Sequence, residues 1–250
     1  MQTLEKVLNS FVSISLEELK DYSLQDRIDT KFIFPMQRLP VILSNLQGEY
    51  AMLKIQEKVI SDYETVYYDT TSLDLYLAHH NEKGNRYKIR LRKYMDSGLC
   101  FFEIKFKNSK ERTLKYRIPQ PDLKTALTKE AIEFLHEHIP LIANDLTPQI
   151  TIRYSRLTLI SLHSKERLTF DLQLTASREG YTYSFGDMVV AELKQENKGA
   201  SPFRTAMKQA GIRSASLSKY CMGLMVTYPG IKSNKFKQTL LIVQKIAHVN

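Results

Sequence analysis

Residues 86–107, RYKIRLRKYMDSGLCFFEIKFK, alternate in polarity almost without interruption. Arg86, Lys88, Arg90 and Arg92 are interleaved with Tyr87, Ile89 and Leu91; then Glu103, Lys105 and Lys107 are interleaved with Phe102, Ile104 and Phe106. Successive strand residues point to opposite faces of a sheet, so this period of two describes strands with one charged and one apolar face. Asp96-Ser97-Gly98 between them is a hairpin signal. A third strand is expected at Thr113–Pro119 with Lys115 and Arg117 on one face, or with Lys110 and Arg112 in those places if the register differs.

Between Arg86 and Arg117 eleven Lys and Arg stand against three acids, a net of +8, while the whole 250-residue chain carries +9. Nearly all of the excess is thus concentrated in one region. That implies an anionic partner: a phosphorylated metabolite, nucleic acid or a membrane surface. No Walker loop or Gly-rich dinucleotide motif occurs. Cys100 and Cys221 lack metal-type spacing and read as reduced structural thiols. No apolar run approaches the roughly 18–20 residues of a membrane span. The N-terminus is amphipathic and carries acids, so it reads as neither signal nor transit peptide, and a cytoplasmic location is expected.

Further strands are expected at Leu24–Phe34, Ala51–Ile55, Val59–Tyr68, Ile150–Ser161, Arg167–Thr175, Gly180–Phe185 and Asp187–Glu196. Helices are expected at Leu4–Phe11, Leu39–Leu46, Thr71–His80, Asp122–His138, Pro202–Ala210, Leu217–Thr227 and Lys235–Ala247. Another is expected at Leu16–Tyr22, opened by a Ser15–Glu18 capping box. With no repeat and no linker, residues 1–250 read as a single α+β domain.

Charge alternation recurs through Arg27, Asp29 and Lys31, through Arg167 and Asp171, and through Glu192 and Lys194. Like charges directly opposite on neighbouring strands repel, so a face this basic calls for a polyanion. Two arrangements satisfy the pattern equally: an open antiparallel sheet with a solvated outer face, or a closed barrel with the charges inside. Glu103, Asp171 and Glu192 would be the interior carboxylates. Tyr87, Phe102, Phe106 and Phe170 fall on the face opposite the charges, whereas single-strand binders interleave aromatics with cations. No nucleic acid is therefore expected. His79 and His80 read as surface residues, and His136 and His138 as favourable charges at a helix C-terminus.

Seven segments, in order, resemble a known family: Asp26-Arg27-Ile28-Asp29-Thr30-Lys31-Phe32, Tyr87-Lys88-Ile89-Arg90-Leu91-Arg92, Phe102-Glu103-Ile104-Lys105, Tyr154-Ser155-Arg156, Arg167-Leu168-Thr169-Phe170-Asp171, Ala191-Glu192-Leu193-Lys194 and Ser218-Lys219-Tyr220. They resemble the motifs of the VTC domain, the catalytic module of the vacuolar transporter chaperone polyphosphate polymerase. That domain belongs to the triphosphate tunnel metalloenzymes, related to the CYTH phosphatases and adenylyl cyclases. The resemblance covers Leu24 to Leu224, with flanking helices at both ends. It departs in opening with Asp26-Arg27 where the family has Glu-Arg. The Glu-x-Glu-x-Lys signature of the CYTH relatives is absent.

The resemblance implies a closed eight-stranded antiparallel β-barrel, a triphosphate tunnel with helices packed outside. It implies transfer of the ATP γ-phosphoryl group to inorganic polyphosphate. Catalytic roles fall to Lys31, Arg90, Arg92, Lys105, Arg156, Arg167 and Glu192. Substrate contacts fall to Arg27, Lys88, Lys115, Arg117, Tyr154, Lys194, Ser218 and Lys219. Mn²⁺ or Mg²⁺ would be held by Glu192 with Glu103, because hard cations take oxygen ligands. A tunnel-type triphosphatase, or a non-enzymatic polyphosphate- or nucleic-acid-binding module, would use the same lining.

Overall fold

The computed structural model describes residues 3–19, 28–110, 112–123, 126–139, 145–197 and 199–247. The strands are β1 (Ser13–Ile14), β2 (Ile28–Pro35), β3 (Tyr50–Leu53), β4 (Ile60–Asp69), β5 (Arg86–Tyr94), β6 (Cys100–Lys107), β7 (Thr113–Gln120), β8 (Thr147–Ser161), β9 (Glu166–Arg178), β10 (Tyr181–Ser184) and β11 (Met188–Gln195). The helices are α1 (Leu4–Leu8), α2 (Leu39–Ser44), α3 (Asp74–His80), α4 (Lys129–His138), α5 (Pro202–Gln209), α6 (Lys219–Thr227) and α7 (Lys237–Ala247). Helix α4 begins seven residues later than its apolar pattern suggests. Thr128 caps it, its Oγ1 accepting from Ala131 N at 3.2 Å, while Asp122 is spent on an ion pair with Lys93 at 2.7 Å. The Ser15–Glu18 capping box does form, with Ser15 N donating to Glu18 Oε2 at 2.8 Å.

Among the described residues one sheet of eleven strands has the main order β2-β11-β9-β8-β4-β5-β6-β7, with β1, β3 and β10 attached at its side. All pairings are antiparallel except β1 with β3. A closed eight-stranded barrel is therefore not what forms. Eight strands make the main path, but its ends, β2 and β7, do not pair with each other. The physical reason lies at the β2 edge. The segment leading into α6 bridges there, Ser214 pairing with Phe32 and Ala215 N donating to Lys31 O at 2.9 Å. The Lys31 carbonyl on that edge is thus already used, and the bridging segment stands where a closing strand would lie.

The sheet curls nonetheless. Lys31 on β2 and Lys88 on β5 line one cavity of about 220 Å³. Their strands are five pairing steps apart, which in a flat sheet would separate them by roughly 24 Å at about 4.8 Å per strand.

The outer, apolar face packs against helices. Phe32, Phe34, Leu157, Leu168, Phe170 and Leu193 meet Phe203 of α5 and Ile42 of α2, while Ile89, Phe102 and Ile104 meet Ala131 and Leu135 of α4. Helix α6 does the opposite. It rests on the inner face, with Tyr220, Cys221 and Leu224 against Ile33, Ile150, Ile152 and Ala176. A β-bulge keeps that patch continuous: the β8–β9 register shifts between Arg153 and Ser155, and Gln173 opposite has φ 51°. Close approach of α6 requires Gly223, because a Cβ there would lie 2.7 Å from Cδ1 of both Ile150 and Ile152. Cys100 and Cys221 are buried free thiols. No helix among the described residues is long and apolar enough to cross a membrane.

Gly223→Val should therefore lower the unfolding free energy by about 1–3 kcal/mol through overpacking against β8. Urea denaturation monitored by circular dichroism measures this, and an unchanged midpoint would mean that α6 does not lie on the inner face.

Candidate functional site

Antiparallel register places the charged side chains in rows. Lys88 on β5 is opposite Lys105 on β6, which is opposite Lys115 on β7. The adjacent row on the same face is Arg90, Glu103 and Arg117. On the other flank Lys31 is opposite Glu192, Asp29 is opposite Lys194, and Arg156 is opposite Asp171. The hairpin contact Asn108 N to Arg112 O at 2.9 Å settles the register of β7: Lys115 and Arg117, not Lys110 and Arg112, face inward.

Three carboxylates, two of them buried and the third half-buried, each serve two cations. Glu103, fully buried, accepts from Arg90 Nε at 2.6 Å and pairs with Lys115 Nζ at 2.6 Å. Burial alone would raise its pKa, but Arg90, Arg92 and Lys115 hold it well below the usual carboxylate range. Asp171 accepts a fork from Arg156, Nε to Oδ1 at 2.6 Å and a second N–H to Oδ2 at 2.9 Å, and also pairs with Lys219. Burial pushes it up, yet these partners bring it down to about 2. Glu192 lies between Lys194 at 2.8 Å and Lys31 at 3.2 Å and is likewise held low against its burial.

Acids do not balance bases. Among the described residues Lys88 and Lys105 have no carboxylate partner within 4 Å, and Arg92 meets Thr65 Oγ1 at 3.2 Å and aromatic faces but no carboxylate within 4 Å. Arg90 and then burial depress Lys105 well below an ordinary lysine. Burial, opposed by Glu192 and reinforced by Arg156, pushes Lys194 down to about 8. The inner face thus carries cations under mutual repulsion. His79 reports the same field: burial and then Lys88 push it down to about 3. Neither histidine of the pair is a surface residue, since His80 is 1% exposed and His79 Nε2 lies 3.0 Å from the Tyr87 carbonyl.

Aromatic rings share this face. Tyr87, Phe102, Phe106 and Phe170 do lie on the other side, but Tyr63 and Tyr154 stand among the arginines, their rings stacked at 5.1 Å and 7°. Arg92 and Arg156 lie over both rings at 5.1–5.9 Å, and Lys219 Nζ is 4.9 Å from Tyr154. The Tyr154 hydroxyl and Thr169 Oγ1 are buried on the inner face without a hydrogen-bond partner among the described residues. Sequence reasoning missed Tyr63, although it shares the parity of Thr65 and Tyr67 on β4.

Lys31, Lys88, Arg90, Arg92, Lys105, Lys115, Arg117, Tyr154, Arg156, Arg167, Glu192 and Lys194 all fall on this face. Ser218 caps α6, its Oγ accepting from Cys221 N at 3.4 Å, and lines the cavity with Lys31 and Lys88. Arg27 lies outside the described residues. For a divalent ion the two candidate carboxylates differ. Both oxygens of Glu103 face cations in a fully buried position, so it acts as a counter-ion and does not fit the metal role. Glu192 also has its two oxygens on Lys31 and Lys194, but with 16% of its side chain exposed it is open to a hydrated ion, and its donor chemistry suits one. No group of three or more His, Cys, Asp or Glu among the described residues could hold a metal. The remaining ligands would have to be phosphate oxygens and water, as is usual for Mg²⁺.

A sequence model of the VTC domain matches residues 26–228. No curated protein sequence matches significantly. A structure from Bacillus halodurans, provisionally assigned as an adenylate cyclase, is 14% identical with a TM-score of 0.51, covering 82% of this chain and 98% of its own. A Hippeastrum protein described as an adenylyl cyclase with a dominant triphosphatase activity is 14% identical with a TM-score of 0.49, covering 82% and 99%. A Pyrococcus horikoshii protein, PH1012, is 15% identical with a TM-score of 0.43, covering 78% and 98%. The first of these likenesses shows a shared fold.

Lys105→Met should stabilise the ligand-free protein by about 1 kcal/mol, because it removes an unpaired cation while keeping the stem, and should weaken any binding of a polyanionic probe such as inorganic triphosphate. Chemical denaturation and calorimetric titration measure the two effects, which should have opposite signs. A second prediction concerns pH. Lys194 titrates near 8 when folded and near 10.4 unfolded, so between these values the unfolded state binds more protons and stability rises with pH. The melting temperature of the ligand-free protein should climb from pH 8 to pH 10, and Lys194→Met should flatten that slope.

Proposed function

The chain belongs to the VTC domain family, and from that premise we propose that it is a polyphosphate polymerase, transferring the γ-phosphoryl group of ATP to an inorganic polyphosphate chain. The observation that carries the proposal is the cation excess on the curled inner face, above all the Lys88–Lys105–Lys115 row, in which only Lys115 meets a carboxylate among the described residues. Phosphoryl transfer asks mainly for positioning and charge neutralisation, and this face offers both.

Arg90, Arg92 and Arg156 present planar forks suited to phosphate oxygens, with Arg90 and Arg156 held in place by Glu103 and Asp171. The lysine row neutralises the charge of a phosphate chain laid along it. A Mg²⁺ or Mn²⁺ ion at Glu192 would, when bound, polarise and orient phosphate oxygens. In the transfer a terminal oxygen of the acceptor chain attacks the γ-phosphorus, the bond to the bridging oxygen breaks, and ADP leaves.

A phosphate oxygen of the acceptor is already anionic and needs no general base. A hydrolase must activate water, and here Glu103 and Asp171 are committed to arginine and lysine and held deprotonated well below neutral pH. That favours transfer to phosphate over the triphosphatase alternative.

Incubation with ATP and Mn²⁺ or Mg²⁺, with products resolved by gel electrophoresis, should yield ADP and chains longer than triphosphate. Glu192→Gln should lower turnover by about 10²–10³-fold, the scale for removing one preorganised electrostatic contact. Release of orthophosphate alone would establish the triphosphatase, and binding without turnover a non-enzymatic module.

A further inference from the structure

A ladder of aromatic rings crosses the inner face, starting beside Lys219 of α6 and running outward from it. Tyr154 on β8 is directly opposite Tyr63 on β4, which is directly opposite Tyr94 on β5, and Phe101 on β6 continues the line. Successive ring centroids are 5.1, 5.0 and 6.1 Å apart, with interplanar angles of 7°, 58° and 89°. Tyr154 is buried, whereas Tyr63, Tyr94 and Phe101 are half-buried, so the ladder runs from the interior to the lip. Arginines flank it throughout: Arg92 and Arg156 at the inner rings, and Arg117 at 4.7 Å from the centroid of Phe101.

Bare phosphate makes no use of aromatic surface, and half-exposed rings at the mouth of a charged cleft leave apolar area in water. A nucleotide uses both features, its phosphates on arginines and its planar base on rings. We propose that Tyr94 and Phe101, set edge to face, form a platform for the base of a nucleoside triphosphate, one ring stacking on the base and the other walling its edge, with the phosphates running inward past Arg92 and Arg90. This rests on the phosphate-handling reading of the cleft with ATP as donor and deepens it, because it gives the base of that donor a site of its own. The dimensions agree: along β5, Tyr94 is four residues from Arg90, about 13 Å at roughly 3.3 Å per residue, comparable with an extended nucleoside triphosphate. The stacking is tolerant of base identity, since every base has a π-face and no base-edge partner is required of the platform.

The competing role for the rings is to hold the arginines in place by cation–π contact. Binding titrations of the wild type, Tyr94→Leu, Phe101→Leu and the double variant, each with a non-hydrolysable ATP analogue and with inorganic triphosphate, distinguish the two. The wild type should bind the analogue more tightly than triphosphate. The double variant should lose about tenfold for the analogue while triphosphate affinity stays within about twofold. Thermal melts confirm folding, which leucine at half-buried positions preserves. Parallel losses for both ligands would show that the rings only order the arginines and would overturn the platform. Equal wild-type affinity for the two ligands would do the same. Failure of the wild type to bind triphosphate would instead remove the anion-binding cleft, and the platform with it.

Discussion

Lys88, Lys105 and Lys115 stand abreast on three neighbouring strands, where directly opposite Cβ atoms are only about 4.5–5.5 Å apart. Left uncompensated on a curled face, such a row would drive the strands apart. Three carboxylates contain the repulsion, each placed where it reaches two cations: Glu103 between Arg90 and Lys115, Asp171 between Arg156 and Lys219, and Glu192 between Lys31 and Lys194. Removal of any one would strip counter-charge from two strands or from a strand and α6 together. The acids suffice to hold the fold but not to neutralise the face, and the remaining positive potential is the property a polyanion would meet.

Arginine and lysine divide the work. Arg90 and Arg156 stay charged, with Glu103 and Asp171 raising their pKa against burial. Guanidinium is permanently charged and rigid, so these two fix the geometry of the inner face. The lysines are the adjustable charges: Lys88, Lys105, Lys115 and Lys194 are all shifted downward by burial and by neighbouring cations. A bound polyanion would reverse the sign of the local field and favour their protonated forms, so its binding would be coupled to proton uptake on this face. Stability given up in the ligand-free state would be recovered as binding energy on meeting such a polyanion, the usual compromise of a preorganised electrostatic site.

Much of this was legible in the residues because a strand has a period of two. Parity alone assigns Arg90, Arg92, Glu103 and Lys105 to one face, and it separates Phe102 and Phe170 from them. Parity does not report register, so the abreast lysines and the Tyr154–Tyr63–Tyr94 ladder emerge only when neighbouring strands are aligned. Attention to Tyr87 and Phe106 hid Tyr63, whose strand carries few charges to mark its inner side. Burial of His80 was equally invisible, since it depends on Tyr76 and Phe236, the latter far along the chain, closing around its ring. Closure of the sheet was the larger misreading: strand count constrains a barrel, but edge hydrogen bonding decides it.

The edge that fails to close also organises the site. Ser214 and Ala215 attach to β2 beside Lys31, and three residues later Ser218 opens α6. This short segment therefore fixes two things at once: the position of β2, with Lys31 on Glu192, and the position of the α6 N-terminus, with Lys219 on Asp171. Had β2 paired with β7 instead, the segment would have no edge to bind, and α6 could not be held against Ile150 and Ile152 through Gly223. The inner face would then be lined by strands alone, without Ser218 and Lys219. Leaving the ladder open at β2 is thus the structural condition for bringing a helix, with its capping serine and its lysine, to the charged face.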